Sequence, residues 1–287
     1  MARSSRRCVT GRGSHKDRPP TLRRGVQGGS AVEDEPTGGR AAWSPRAMPG
    51  IGRELTPQQE LAIALRHLDD IGFCENLTGH ITWQLPNEDN LLVNPWGLWW
   101  AETTAADVLT IALNGDVVHG PWDVTPAFHI HTELHKRRPD ARVVVHNHPM
   151  HATILAGIGV LPDIIHQNSA MFFEEMVFIN EYDGEVATSS GGAAIADAMG
   201  DASVALLASH GVIVVAPTMA EATYKSALFE RACEIMYRSM LLGRPTFPID
   251  PVHLKPMKAS LIERAAEAYW DGAARQLIAA EPEVLKS

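Results

Sequence analysis

Residues 141–151 read ARVVVHNHPMH, so three valines lead directly into three histidines within six positions. A run of valines is typical of a buried strand, and Pro149 suits the first turn of the helix that the following residues predict. Because residues two apart on a strand point to the same face, His146 and His148 present their imidazoles side by side at the strand end. The pattern leaves three interpretations open: a metal site, a buried histidine with an ordinary hydrogen-bond partner, or chance in a chain with 13 histidines.

A second histidine stands in LLASHGVIVV, residues 206–215. This pattern places His210 between two apolar strands, where the sheet is expected to be buried on both sides. Burying an imidazole without a partner is costly, and Gly211 lets the backbone bend or come close to another group. If His210 meets the other two histidines, three nitrogens form a site with open positions, which zinc and ferrous iron both accept. The alternative is a core histidine bonded to a backbone carbonyl.

The first helix has clear start and end signals. Thr56 is a good N-cap, Pro57 suits the first helical position, and Gln59 completes a capping box. Gly72 is expected to end this helix.

Helical and strand-like segments alternate along the rest of the chain. Thr218 and Glu221 predict a capping box before a long helix, and a last helix is predicted over residues 258–280. The other strand-like runs are HITWQL, NLLVNP, DVLTIAL, GDVVHG and VFIN. Many connections between strands are too short for crossover helices, which favours a layered α/β domain with a largely antiparallel or mixed sheet.

Composition excludes several classes of function. The chain has 287 residues, 45% hydrophobic and 21% charged, and no apolar run approaches the ~20 residues of a membrane-spanning helix. Residues 1–47 hold ten basic and four acidic side chains, whereas the remainder holds 15 basic and 30 acidic ones. An acidic body argues against nucleic acid as a partner, and no membrane association is expected.

The same imbalance predicts the domain organisation. Residues 1–47 are rich in Arg, Gly, Ser and Pro, so we interpret them as a disordered basic tail or an over-long gene start, with Met48 as the start. Residues 48–287 are predicted to form a single domain with a C-terminal helical extension. The three cysteines, Cys8, Cys74 and Cys233, form no disulfide framework, which predicts a cytoplasmic protein.

Two long segments carry a resemblance to a known family. RPDARVVVHNHPMHATILA and, about 60 residues later, LLASHGVIVVAPTMAEATYKSALFERACEI resemble the class II aldolase/adducin family. GHIT (79–82), VNPWG (93–97) and TTAADVLTI are similar to segments from the N-terminal half of that family. The resemblance covers the chain from about Thr56 to Leu242.

The resemblance implies a fold, a cofactor and a reaction. The implied fold is α/β, with three α/β/α layers and a mainly antiparallel central sheet. Positions matching His146, His148 and His210 hold one divalent metal in enzymes of the family, with zinc expected here and Fe(II) or Mn as alternatives. Many members are fourfold tetramers with sites near subunit interfaces. The metal holds hydroxy-carbonyl oxygens of a small-molecule substrate and stabilises an enediolate as a carbon–carbon bond breaks.

The sequence departs from the sugar-phosphate aldolases at the residues that would act on substrate. Ala127 stands where those enzymes have a catalytic glutamate, so the general base is predicted among His80, His131 and a metal-bound hydroxide. The interface tyrosine of some aldolases has no clear match here, since IIHQNSAMF occupies that region; it offers His166, which we predict to be catalytic, or Gln167. The predicted substrate-binding residues are Gly79, Thr82, Trp96, Gly97 and Thr125. Loss of phosphate-binding groups and the presence of tryptophans favour an unphosphorylated, flat or apolar substrate.

Three functional hypotheses follow. The first is a metal-dependent lyase, of aldolase or decarboxylase type, acting on a small hydroxy- or oxo-carbonyl compound. The second is a non-haem Fe(II) oxygenase that cleaves an aromatic 2-oxo or 2-hydroxy acid at the same three-histidine site. The third is a non-catalytic binding module of the adducin type, which the presence of all three metal-site histidines disfavours.

Overall fold

The valine run forms the fifth strand of an eight-stranded sheet in the computed structural model, which describes residues 49–73, 75–180 and 186–287. The strands are β1 His80–Gln84, β2 Leu91–Val93, β3 Leu109–Ile111, β4 Val117–His119, β5 Val143–Asn147, β6 Met176–Ile179, β7 Val204–Leu207 and β8 Val212–Ala216. Their order in the sheet is β4-β3-β2-β1-β5-β8-β7-β6. Neighbouring strands pair antiparallel except β6 and β7, which pair parallel.

Helices cover both faces of this sheet. They are α1 Pro57–Leu68, α2 Phe128–Arg137, α3 Met150–Ile158, α4 Ser189–Met199, α5 Met219–Leu241 and α6 Pro251–Ala280. One apolar core joins the sheet to α1, α3, α5 and α6, and a second joins the opposite face to α2 and α4. This arrangement confirms the predicted α/β/α fold with a mainly antiparallel central sheet.

Alternation along β5 assigns its residues to the two cores. Val143 and Val145 belong to the larger core, whereas Val144 belongs to the core under α2 and α4. His146 follows Val144 on the latter face because strand residues two apart share a side. The strand therefore brings an imidazole to the end of a well-packed valine column.

Local signals explain most helix boundaries. Thr56 and Gln59 form the predicted capping box at the start of α1. The helix passes into a π-helical turn, Asp69–Phe73, in which Gly72 has a φ of 102°. At α5, the Thr218 side chain accepts a hydrogen bond from the backbone N–H of Glu221.

The last helix starts earlier than the sequence predicted. It begins at Pro251 rather than Lys258, because the Asp250 side chain accepts a hydrogen bond from Val252 N and caps it there. Pro256 lies inside this helix.

Several sequence predictions concern residues outside the described part of the chain. The tail at residues 1–47 and the cysteines Cys8 and Cys74 are among them, so these predictions stay untested. Cys233 is buried with a free thiol. Among the described helices, none combines the length and hydropathy needed to cross a bilayer.

Candidate metal centre

His146 is held in one orientation by the strand beside it. Its Nδ1 donates a hydrogen bond to the carbonyl of Val212 on β8 at 3.0 Å. A carbonyl only accepts, so the proton is on Nδ1 and the lone pair is on Nε2. The ring is buried, and His80 on β1 is its direct cross-strand neighbour.

His210 lies in the hairpin turn that joins β7 to β8. The turn closes through a bond from Leu207 N to the carbonyl of Gly211 at 2.9 Å, and Ser209 adopts a left-handed φ of 53°. The sequence predicted that His210 would lie within a sheet buried on both sides. The structure corrects this, since the ring is half-buried at the end of the sheet.

Gly211 is needed because two chain segments come together there. A Cβ at this position would lie 2.4 Å from Cδ2 of His148 and 2.5 Å from the carbonyl oxygen of Asn147. Of the two roles that the sequence left open, close approach is the one that the structure shows. The missing side chain lets the hairpin bring His210 against the end of β5.

Three imidazoles therefore converge at one end of the sheet. One ligand-capable nitrogen from each of His146, His148 and His210 lies within 4.8 Å of the other two. Their ring centroids are 4.8 to 5.1 Å apart. We refer to these residues as the three-histidine cluster.

Electrostatics keep two rings of the cluster, those of His146 and His210, in the form that a metal requires. Burial, followed by the neighbouring imidazoles of His210 and His148, holds the pKa of His146 well below its usual range. Burial and His148 lower the pKa of His210 to about 4. Both rings are therefore neutral at pH 7, and a neutral imidazole is the form that binds a cation.

Sequence reasoning missed Glu75, a residue of the loop before β1. Its carboxylate oxygen Oε2 contacts Nδ1 of His148. The signal lies in the topology, because antiparallel pairing of β1 with β5 places the loop before β1 beside the residues after β5. Predicting the contact requires that pairing, which local sequence patterns do not give.

Glu230 on α5 is a second residue that the sequence did not indicate. One carboxylate oxygen accepts from the backbone N–H and Nδ1 of His151 at 2.9 and 2.7 Å, and the other accepts from Ala152 N at 2.9 Å. These bonds satisfy N–H groups in the first turn of α3, which no residue of the helix itself can do. Glu230 thereby fixes the chain just after His148.

Two of the predicted catalytic histidines lie directly behind the cluster. The ring centroids of His80 and His131 are 6.1 and 6.4 Å from that of His146. Burial and the nearby imidazoles lower the pKa of His80 to about 3. The buried Nδ1 of His80 has no hydrogen-bond partner among the described residues.

Thr82, predicted to bind substrate, lies beneath these histidines. Its hydroxyl is 2.9 Å from Nδ1 of His131 and 2.7 Å from Nε2 of His135, and the residue is fully buried. A hydroxyl donates one proton, so it donates to one ring and accepts from the other. Thr82 thus holds His131 in place, and its substrate contact stays a prediction.

Gly79, Trp96 and Gly97 lie in two adjoining loops. Gly79 has a φ of 95°, and a Cβ there would lie 2.1 Å from Nδ2 of Asn147. Its carbonyl accepts a hydrogen bond from Trp100 Nε1 at 3.2 Å, which ties the tryptophan loop to the start of β1. Gly97 has a φ of 107° and faces open space, and Trp96 is 49% exposed.

The remaining predicted site residues are not gathered at the cluster by the contacts described. Thr125 is buried before α2, where its hydroxyl accepts from Ala127 N at 3.3 Å. His166 is half-buried, and its carbonyl accepts from the Ser169 hydroxyl at 2.7 Å. Burial and the charge of Arg231 lower the pKa of His166. The roles of Thr125 and His166 stay predictions.

Comparison with known proteins agrees with this architecture. A family model described as "Class II Aldolase and Adducin N-terminal domain" matches residues 59–237. Decarboxylase NovR of Streptomyces niveus is 28% identical over 188 residues, covering 64% of this chain and 70% of that protein. The 4-hydroxy-3-prenylphenylpyruvate oxygenase/4-hydroxy-3-prenylbenzoate synthase of Streptomyces roseochromogenus subsp. oscitans is 30% identical over 180 residues, covering 61% and 64%. The solved L-fuculose 1-phosphate aldolase from Glaciozyma antarctica PI12 has a TM-score of 0.71 at 24% identity, covering 85% and 98%.

Proposed function

The chain belongs to the class II aldolase and adducin family, and from this premise we propose that it is a metal-dependent carbon–carbon lyase, of aldolase or decarboxylase type. The proposed substrate is a small, unphosphorylated hydroxy- or oxo-carbonyl compound. The observation that carries this proposal is the convergence of His146, His148 and His210, whose nitrogens lie within 4.8 Å of one another.

The donor set fits a divalent cation. The bond from His146 Nδ1 to Val212 leaves Nε2 of that ring as the available donor. Nε2 of His148 is buried without a hydrogen-bond partner among the described residues, which is costly unless a ligand satisfies it. Three neutral nitrogen ligands with room for exogenous groups are typical of catalytic rather than structural zinc.

A bound divalent cation would polarise a carbonyl or hydroxyl oxygen and offset the negative charge that develops as the carbon–carbon bond breaks. The chain itself supplies the surrounding groups. His80 and His131 are neutral at pH 7, because burial is the largest cause that lowers the pKa of each ring. A neutral imidazole carries a proton at one nitrogen and a lone pair at the other, so each ring can donate a hydrogen bond to a substrate group or accept one from it. Because a pKa of about 3 makes His80 a weak base, its role in proton transfer rests on its position behind the cluster and not on its basicity.

The proposed substrate class rests on what the site lacks and on exposed tryptophans of a loop that is tied to the start of β1. Ala127 at the start of α2 offers neither a carboxylate nor a hydroxyl to a sugar phosphate. Trp96 and Trp99 are 49% and 44% exposed, so their rings offer stacking surface near the loop that Trp100 ties to Gly79. These features support a flat or apolar group on the substrate rather than a phosphate.

The test is anaerobic reconstitution of the purified protein with Zn, Mn or Fe(II), followed by turnover assays on aliphatic and aromatic 2-hydroxy and 2-oxo acids. We expect about one metal per chain and cleavage without oxygen consumption. His146→Ala should abolish both, whereas His119→Ala, at an exposed position on β4, should change neither. A wild-type protein that binds no divalent metal would exclude the proposed reaction.

A second candidate is a non-haem Fe(II) oxygenase acting on an aromatic 2-oxo or 2-hydroxy acid. Two observations favour it: the oxygenase relative at 30% identity, and Ala127 in place of a carboxylate base. The reconstitution experiment separates the two candidates. Activity that requires Fe(II) and consumes oxygen would support the oxygenase over the lyase.

The third candidate is a binding module that keeps the family fold without its chemistry. It predicts that the purified protein binds no divalent metal even after reconstitution.

A homotetramer and a cytoplasmic location are further parts of the lyase proposal. Light scattering after size-exclusion chromatography tests the tetramer.

A further inference from the structure

The geometry points to Glu75 as a positioning residue of the proposed metal centre, the carboxylate that fixes the tautomer and orientation of His148 for cation binding. This inference rests on the proposed function, because it assigns a role toward the same three-histidine cluster. It goes beyond the family pattern quoted above, in which the glutamate of the site would come from the position of Ala127.

The contact between Glu75 and His148 fixes where the imidazole carries its proton. A carboxylate oxygen accepts hydrogen bonds, so Nδ1 of His148 is the donor to Glu75 Oε2. The lone pair is then on Nε2. That nitrogen is buried, lacks a hydrogen-bond partner among the described residues, and belongs to the cluster with His146 and His210.

The loop that carries Glu75 holds the carboxylate in place. A tight turn closes through Thr78 N and the carbonyl of Glu75 at 3.1 Å, and the Thr78 hydroxyl donates to the same carbonyl at 2.7 Å. The hydroxyl also lies 3.3 Å from Glu75 Oε2. Asn76 within the turn has a left-handed φ of 46°, and Gly79 ends the loop at the start of β1.

Glu75 supplies a carboxylate to the proposed metal centre, which lacks the glutamate that Ala127 replaces. A divalent cation on three neutral imidazoles carries its full charge, and a carboxylate hydrogen-bonded to a ligand partly offsets that charge and raises the basicity of the ring. In this chain the carboxylate comes from the loop before β1 and acts through His148. The side chain is 45% exposed, so it is reachable from solvent while its oxygen contacts the ring.

The test compares two substitutions at Glu75 with a matched control. Glu75→Gln keeps an acceptor oxygen but removes the charge, and Glu75→Ala removes both. Glu88→Gln changes an exposed carboxylate of the next loop and serves as the control. For each full-length protein, Zn²⁺ affinity is measured by competition with a chromophoric chelator, and the visible spectrum is recorded with Co²⁺ in place of Zn²⁺.

We expect Zn²⁺ affinity to fall about 10-fold in Glu75→Gln and about 100-fold in Glu75→Ala, the range found for partners of metal-bound histidines. The Co²⁺ absorption bands should shift in both variants, and Glu88→Gln should match the wild type in both measurements. If either Glu75 variant folds and binds Zn²⁺ as tightly as the wild type with an unchanged Co²⁺ spectrum, the inference is wrong and the proposed function stands. If the wild type itself binds neither metal, both fail together.

Discussion

The two faces of β5 differ in composition although they belong to one five-residue strand. On one face, Val143 and Val145 pack into the apolar core beneath α1, α3, α5 and α6, and we call this the valine face. On the other, His146 follows Val144 and lies with His80 and the α2 residue His131, and we call this the histidine face. Period-two alternation alone separates the two environments.

The difference teaches what each face contributes. Burial of apolar side chains on the valine face stabilises the fold, with about 25 cal/mol for each Å² removed from water. The histidine face buries imidazoles, and burial lowers their pKa values. His80 and His146 are only 7% and 2% exposed. Stability does not account for such a face, since apolar residues of the same size would cost less to bury. The metal binding proposed above would account for it, because a bound cation uses the nitrogen lone pairs of such a face.

The largest effect is expected from His146→Ala. Removing one of three ligands should weaken Zn²⁺ binding by more than the ~100-fold that changes to a ligand's hydrogen-bond partner produce. The metal-free variant should stay folded, because the neighbouring valine face is untouched. Isothermal titration calorimetry measures the Zn²⁺ affinity, and circular dichroism shows whether the variant is folded. Retained tight binding of Zn²⁺ would show that the two faces of β5 do not differ in the way we describe.

The next largest effect is expected at Gly211, where the turn between β7 and β8 contacts the end of β5. Gly211→Ala would place a Cβ 2.4 Å from His148 and 2.5 Å from the carbonyl of Asn147, so β8 or the end of β5 must move. We expect a loss of about 3 kcal/mol in the free energy of unfolding, together with weakened Zn²⁺ binding.

Gly157→Ala is the matched control for that substitution. Gly157 lies in α3, and a Cβ there meets no atom within 4 Å. The alanine should raise stability by about 0.5–1 kcal/mol, because glycine is unfavourable inside a helix. Urea unfolding of the metal-free proteins compares the two variants. Equal stabilities would mean that the contact at Gly211 does not constrain the hairpin.

A pair of near-isosteric substitutions tests the two faces against each other. Val145→Thr adds a hydroxyl to the valine face, and Thr82→Val removes one from the histidine face, where it bonds His131 and His135. Each change leaves buried polar atoms without partners, so each should cost about 2 kcal/mol of unfolding free energy. Denaturant unfolding measures both. If Val145→Thr leaves the unfolding free energy unchanged, the valine face tolerates polar groups, and the proposed difference between the two faces of β5 is wrong.

Sequence patterns predicted the architecture well because its signals are local. The valine run of β5, the capping box at Thr56 and the short connections between strands predicted a layered α/β domain with a largely antiparallel or mixed sheet, and the family resemblance added the three layers. The start of the last helix was misplaced, because Asp250 caps a helix that begins at Pro251, seven residues before Lys258. Asp250 followed by Pro251 is a local start signal that the predicted boundary did not use, and Pro256 lies inside the helix.

The candidate site could be predicted only in part. His146, His148 and His210 were found from their spacing and their position at strand ends, together with a family resemblance. Glu75 and the shared hydroxyl of Thr82 were not, because the first contact depends on which strands are neighbours and the second on how α2 packs against β1. Pairing of β1 with β5 is a long-range choice, and no local propensity specifies it.

The smallest predicted effect is a pH dependence of opposite sign on the two sides of the sheet. On the histidine side, burial lowers the pKa of His135 to about 4. The unfolded state then binds more protons below pH 6.5, so the contribution of His135 to stability is complete above pH 6.5 and is lost as the pH falls toward 4. On the valine side, burial and then the charge of Glu267 raise the pKa of Glu60 on α1 to about 7. The folded state then binds more protons between pH 4.5 and 7, so stability falls as the pH rises through that window.

Two substitutions separate these contributions in metal-free protein. Glu60→Gln should stabilise the fold at pH 8 by about 1 kcal/mol, a value reduced for partial exposure, and by less at pH 5. His135→Gln, which cannot take up a proton, should compare more favourably with the wild type at pH 5 than at pH 8. Urea unfolding at both pH values gives the four differences in free energy. Differences that change in the same direction with pH would mean that the two sides of the sheet do not oppose each other, because a lowered histidine pKa and a raised glutamate pKa must give slopes of opposite sign.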